Sequence, residues 1–166
     1  MSLWHIDYEI DKEYWRNIFY ENLDYGKWHY TCASRKSLYW FHLMMFNDDK
    51  LKKIVKPLEQ DLNIYGLNNA PRFSYLFPNQ KVEHHLDDQV KKEFGVKINI
   101  NLLDTEITIH MEHKPYQYEA ALIDVGHVMH GVEKDPNARL TIGFFLRHPL
   151  EEVYERLDKF SLIKNG

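Results

Sequence analysis

The order of hydrophobic and polar positions changes character near residue 70. Before it the spacing is helical. Tyr14, Trp15, Ile18 and Phe19 form one stripe, and Leu51, Ile54, Val55, Leu58 and Leu62 form a second behind a cap at Asp48 or Asp49. Pro57 falls inside the second stripe, where it removes a main-chain hydrogen bond and is expected to kink or divide the helix. After residue 70 the period shortens to two. Val96, Ile98, Ile100 and Leu102 alternate with Lys97, Asn99 and Asn101 in the stretch Val96–Leu103, and Ile107, Ile109 and Met111 alternate across Glu106–Glu112. Arg72–Phe77, Lys81–Asp87, Tyr116–Val125, Val128–Val132 and Ala138–Leu146 complete the predicted strands, with a turn at Pro78-Asn79-Gln80 and a closing helix over Leu150–Phe160.

Short strands separated by polar turns predict a sandwich or barrel. The expected fold is mainly β: a double-stranded β-helix (jelly-roll, cupin-like) core with a helical N-terminal part packed against it. The chain has 166 residues, enough for one domain with a real core. We read it as a single domain, with a helix-rich part over 1–69, the core over 70–149 and a C-terminal helix and tail over 150–166. Trp4, Trp15, Trp28 and Trp40 all lie in the first part, where packing of helices on a sheet accounts for them.

Charge narrows the function classes. The net charge is -4, and the basic pairs Lys52-Lys53 and Lys91-Lys92 are too short to track a phosphate backbone, so no nucleic-acid partner is expected. No apolar run reaches the length needed to span a bilayer, so no membrane partner is expected either. The N-terminus lacks a basic segment followed by an apolar one. The single cysteine, Cys32, excludes an intrachain disulfide. A cytoplasmic location is the expectation.

Six of the ten histidines fall between positions 84 and 130. Among them His85-Leu86-Asp87 is an H-x-D pair on a predicted strand, where residues i and i+2 share a face. His130, near the end of a later strand, supplies a third ligand if the two strands lie side by side. Two imidazoles and one carboxylate on one side of a metal leave the other side open, the arrangement of non-haem iron(II) oxygenases. Nine residues on, Arg139 and Thr141 share a strand face. A guanidinium takes a carboxylate bidentately and a hydroxyl adds a further bond, which suits the distal carboxylate of 2-oxoglutarate. The rival ligands fit less well. His84 has no carboxylate on its face, Asp88 points away, and His127 lacks a valine two positions on. His110 and His113 are read as surface or outer-shell residues.

H-x-D, His130-Gly131-Val132 and the R-x-T after it resemble the 2-oxoglutarate/iron(II)-dependent dioxygenases. A narrower resemblance covers roughly residues 70 to 150. Phe73-Ser74-Tyr75-Leu76-Phe77-Pro78, the H-x-D strand, His130, Arg139 and Arg147-His148-Pro149 resemble the aspartyl/asparaginyl β-hydroxylase branch. Some members of that branch lack the metal carboxylate, whereas this chain keeps Asp87. The resemblance implies Fe(II) on His85, Asp87 and His130, 2-oxoglutarate as co-substrate, and molecular oxygen as the second. It also implies a second 2-oxoglutarate contact on the strand after the first metal histidine, where this chain offers Lys97 and Asn99. The implied reaction is hydroxylation of an aspartyl, asparaginyl or other amino-acid-like target, as a small molecule or short peptide. Tyr75, Trp40 and Arg147 are candidate walls of the substrate pocket. The alternative reading is a cupin-like metal-binding protein or isomerase that does not use 2-oxoglutarate; a catalytically silent jelly-roll module is a third. The R-x-T pair is the feature that speaks against both.

Overall fold

The computed structural model describes residues 1–21, 28–30, 40–43, 49–67, 71–87 and 95–164, with the backbone alone at 28–30, 40–43, 49 and 51. In chain order the elements are β1 (Leu3–His5), α1 (Lys12–Glu21), β2 (Trp28–Tyr30), β3 (Trp40–Leu43), α2 (Asp49–Leu62), β4 (Arg72–Leu76), β5 (Val82–His85), β6 (Val96–Asn101), β7 (Ile107–Met111), β8 (Lys114–Tyr118), β9 (Ala120–Asp124), β10 (His130–Val132), β11 (Arg139–Phe145) and α3 (Leu150–Lys159). The strands form two antiparallel sheets. The major sheet runs β1-β9-β6-β11-β4-β3-β2 and the minor sheet β5-β10-β7-β8.

β11, in the middle of the major sheet, is buried on both faces, which is why it reads as a nearly continuous apolar run. Leu140, Ile142 and Phe144 of β11 and Ile98 and Ile100 of β6 face the helices, where Trp15, Ile18 and Phe19 of α1, Ile54 and Leu58 of α2, and Val153 and Leu157 of α3 join one core. The other face turns toward the minor sheet. There Ala121 and Ile123 of β9 meet Ile107, Ile109 and Met111 of β7 and Tyr118 of β8. On this inner face β6 carries Lys97, Asn99 and Asn101, and β11 carries Arg139, Thr141 and Gly143 before the strand ends on Phe145. A polar lining between two sheets is the space in which a jelly roll places a ligand.

Three expectations need correction. The first 69 residues are not simply helix-rich, because β1, β2 and β3 join the major sheet. Runs of three or four residues are too short to show a period. The stretch Tyr116–Val125 is two strands: β8 ends at Tyr118 in the minor sheet and β9 starts at Ala120 in the major one, so the chain changes sheets at Glu119. Pro57 lies inside α2, which runs on without division. Burial of Ile54, Val55, Leu58 and Leu62 outweighs the one lost main-chain bond. Among the described residues no helix is long and apolar enough to cross a membrane.

Candidate metal centre and co-substrate cradle

The ligand set comes from two paired strands and the residue just past one of them. β5 pairs antiparallel with β10, and His85 is the direct partner of His130. Their rings lie 4.4 Å apart. The strand ends at His85, so Asp87 lies beyond it rather than on the strand face expected from its i+2 spacing. It is fixed there by its own N–H, which donates to the Val125 carbonyl at 3.0 Å. That carbonyl is held by a close approach of two glycines. The Val125 and Gly126 N–H groups both donate to the Gly95 carbonyl, at 3.0 and 2.9 Å. A Cβ on Gly126 would stand 2.5 Å from the Gly95 Cα, so only glycines permit the contact.

Asp87 Oδ1 lies 3.1 Å from His85 Nε2 and 3.5 Å from His130 Nε2. The ligand atoms of the three residues lie within 4.8 Å of one another, and no other set of three such residues among those described meets that condition. The tautomers follow from the outer contacts. His85 Nδ1 donates to the Glu83 carbonyl at 2.7 Å and His130 Nδ1 to the Val128 carbonyl at 3.1 Å. A carbonyl can only accept, so each Nδ1 carries a proton; a second proton, on Nε2, makes the hydrogen bond to Asp87, and a bound metal would take the place of that second proton. This is the outer-shell arrangement that orients metal-bound histidines. Burial works against ionisation of Asp87, but hydrogen bonds from His130 and His85 and the positive charge of Lys97 outweigh it and hold the carboxyl well below its usual range. Burial pulls His85 down, yet its bonds to Asp87 and Glu83 more than offset this and leave it above the ordinary imidazole value. Once a metal takes the place of the Nε2 protons, two imidazoles and an ionised carboxylate fit iron(II).

The predicted co-substrate residues stand on the facing sheet. Arg139 and Thr141 on β11, with Asn99 on β6, are all buried. Arg139 crosses the sandwich: Nη1 donates to the Thr108 carbonyl of β7 at 2.8 Å and Nη2 donates to the Tyr118 hydroxyl of β8. Its Nε is buried without a partner, and among the described residues no carboxylate pairs with the guanidinium. Asn99 Nδ2 donates to the same Tyr118 hydroxyl at 2.5 Å, while Asn99 Oδ1 has no partner. Lys97 joins the triad to this cradle. Burial pushes its ammonium below the ordinary lysine value; Asp87 pulls it up, and Arg139 and Arg72 push it further down. Its stem passes beside Gly143, where a Cβ would stand 2.4 Å from Lys97 Cε and 2.5 Å from Asn99 Oδ1.

Tyr118 was not legible as a site residue, since its hydroxyl contacts depend on the change of sheet at Glu119. Gly143 sits inside the apolar run of β11, and a lone glycine there is the one signal of close approach the sequence carries. His127 is not part of the centre; its Nδ1 lies 2.8 Å from Asp124 Oδ1 and closes the turn after β9. Asp88 and the Trp40 side chain lie outside the described residues. Tyr75 packs against Phe19 on the helix side, 5.5 Å ring to ring, and Arg147 is exposed with its N–H on the Tyr65 carbonyl, so neither walls this chamber. Arg139 also lines a cavity of about 180 Å³ with Leu76, Thr108, His110, Val132 and Glu133. None of the three ligands lines it, which makes it an outer approach to Arg139 rather than the metal chamber.

No protein-family model and no curated protein matches the sequence. Solved structures do match the fold. A prolyl-4-hydroxylase of Pseudomonas putida superposes with a TM-score of 0.57 at 14% identity, covering 89% of this chain and 91% of that one. The collagen prolyl hydroxylase of Paramecium bursaria Chlorella virus-1, solved as a 2-oxoglutarate complex, gives 0.62 at 12% identity over 89% and 97% of the two chains. A prolyl hydroxylase of Trichoplax adhaerens, solved with a peptide fragment of the hypoxia inducible factor oxygen degradation domain, gives 0.52 at 11% identity over 84% and 77%. The chain has the double-stranded β-helix fold that these hydroxylases share.

Proposed function

We propose that the protein is an iron(II)- and 2-oxoglutarate-dependent dioxygenase that hydroxylates an amino-acid-like substrate, free or within a short peptide. The observation that carries this reading is Arg139. A guanidinium is always charged, and burying one without an anion is costly. Here it spans the sandwich on neutral partners, with Lys97 nearby and a metal-competent triad in the same interior. A dicarboxylate that reaches from the triad to Arg139 offsets this excess of positive charge. Iron bound at the triad supplies, with 2-oxoglutarate and oxygen, oxidative decarboxylation coupled to insertion of one oxygen atom into a C–H bond.

The chain's own groups then have distinct tasks. His85, Asp87 and His130 hold the metal. Arg139 and the Thr141 hydroxyl take the distal carboxylate, and Tyr118, already bonded to Arg139 and Asn99, fixes the guanidinium. Lys97 and Asn99 line the path between metal and arginine, and the missing side chain at Gly143 leaves that path open. The sequence motifs resemble an aspartyl/asparaginyl branch and the structural likeness is to prolyl hydroxylases; both classes oxidise a residue within a polypeptide, which supports an amino-acid-like target. The test is succinate formation with Fe(II), 2-oxoglutarate and a panel of free and peptidyl proline, aspartate and asparagine. Turnover that needs iron, 2-oxoglutarate and one member of the panel is expected, and His130→Ala abolishes it. Full activity of that variant refutes the centre. Metal binding without any spectral response to 2-oxoglutarate replaces this reading with the cupin one.

A further inference from the structure

The outer face of the minor sheet carries a second group of imidazoles that the proposed chemistry does not use. Side chains alternate along β5, so His84 points to the face opposite His85. His110 on β7 likewise points away from Ile109 and Met111, which are in the core. Between them runs β10, and its Gly131 pairs with His110. The His84 ring lies over Gly131, so close that a Cβ there would stand 2.7 Å from the ring Cδ2. The glycine thus lets imidazoles on the two outer strands approach across the middle one. Their rings are 6.2 Å apart. His113 completes the group, stacked on His84 at 4.3 Å. Glu133, just after β10, holds its carboxylate 3.6 Å from His84 Nε2.

Two further observations point to a missing ligand. His84 Nδ1 and His110 Nδ1 are both buried without a hydrogen-bond partner. An unpaired buried polar atom costs on the order of 1–3 kcal/mol, so such a pair on one small patch calls for an explanation. The second observation is backbone strain. Glu112 and His113 form the two-residue turn between β7 and β8 with φ of 49° and 65°. Asn-Gly is the sequence that turn favours, and Glu-His occupies it at a cost. The strained turn is what sets His113 against His84.

We infer that His84, His110 and His113 form a second metal site, for a divalent transition ion such as zinc, on the outer face of the minor sheet, with Glu133 on the Nε2 side of the His84 ring and Nδ1 left for the ion. The spacing is near what an ion needs. An ion about 2.1 Å from an imidazole nitrogen lies about 3.2 Å from the ring centre, so two rings on a tetrahedral ion stand roughly 5.2 Å apart. The His84 and His110 rings stand at 6.2 Å and the His84 and His113 rings at 4.3 Å, so each pair has to shift by about an ångström to share the ion. The set is open as it stands, and closes when the exposed side chain of His113 turns inward, with water in the remaining position. Three imidazoles select zinc, nickel or copper over magnesium or calcium. A closed site would tie β5 to β7 and the β7–β8 turn across β10, clamping from outside the two strands that carry His85 and His130 inside.

The test is equilibrium dialysis of the metal-free protein against Zn(II), with bound metal counted per chain. Wild type binds two ions. His85→Ala/His130→Ala binds one, and adding His84→Asn and His110→Asn to it leaves none. His113→Asn weakens the second site by at least about tenfold, the loss already usual for an outer partner of a metal. Asparagine accepts a positive φ readily, so this variant keeps the turn and its melting curve in chelator matches or exceeds that of wild type. One ion per wild-type chain overturns the proposal. So does unchanged second-site affinity in both His113→Asn and His110→Asn.

Discussion

Replacing Arg139 with methionine separates what this residue does for the fold from what it does for a co-substrate. Methionine matches much of its length and carries no charge. Two effects oppose each other in the ligand-free protein. Removing a buried cation with no anionic partner stabilises, because exchanging buried charge for packed apolar volume is often neutral or favourable by 1–4 kcal/mol. Against this, the Thr108 carbonyl and the Tyr118 hydroxyl each lose a donor, at about 1–3 kcal/mol per group left dry. The Tyr118 hydroxyl still accepts from Asn99, which halves that side of the loss. The ligand-free stability should therefore stay within roughly 2 kcal/mol of wild type. Binding has no such compensation. Truncating one partner of a buried charge pair costs about 2–5 kcal/mol, so the apparent Kd for 2-oxoglutarate should rise at least thirtyfold. The assay is an anaerobic titration of the Fe(II) protein with 2-oxoglutarate, followed by the visible charge-transfer band, beside urea unfolding of the ligand-free protein. Arg139→Met that keeps its 2-oxoglutarate affinity within a factor of two refutes the reasoning, whatever its stability. A variant that loses affinity only because it is unfolded shows itself in the urea curve.

Other expectations follow from the same contacts. Gly143→Ala places a Cβ against Lys97 and Asn99; the lysine stem gives way more easily than the tethered asparagine, so overpacking should cost about 1–3 kcal/mol, with a higher 2-oxoglutarate requirement in the succinate assay and little change in iron affinity. Gly126→Ala meets Gly95 main chain, which cannot yield; it should shift the Val125 carbonyl off the Asp87 N–H and lower Fe(II) affinity about 10–100-fold by metal titration, although residue 126 touches no metal. Tyr8 donates its hydroxyl to the Ile54 carbonyl in α2, and burial pushes its pKa up to about 12. A raised folded pKa means stability that is complete below pH 10 and drains away between 10 and 12. The loss is at most roughly 2–3 kcal/mol, less for the part of the ring that is solvated, and Tyr8→Phe should flatten that limb of the stability profile measured by urea unfolding.

The site was legible where chemistry and strand pattern coincided. His85, Asp87, His130 and Arg139 stand out because charged or metal-binding types interrupt apolar strands, and the order H-x-D, H, R-x-T is a joint signal rather than four separate ones. The face argument for His85 and Asp87 expected two residues of one strand, whereas the strand stops at His85, and a main-chain bond to Val125 places Asp87 beside it. Nothing local to residues 85–87 announces that bond, since its acceptor is held by two glycines far apart in sequence. Tyr118 was missed because Tyr116–Val125 reads as one strand until the tertiary fold divides it between sheets. β1, β2 and β3 were missed because pairing, not periodicity, makes strands of so few residues.

The two imidazole anchors carry a consequence for how the centre tolerates mutation. His85 and His130 each lean on the carbonyl two residues upstream, at Glu83 and Val128. Every amino acid brings the same carbonyl, so neither position constrains its side chain through this role. Centres whose histidines are oriented by aspartate or glutamate lose the anchor with a single codon change. This one keeps it unless the backbone itself moves. Its outer shell is therefore robust to point substitution and fragile to insertion or deletion near positions 83–85 and 128–130, and a library scan should tolerate the first while rejecting the second.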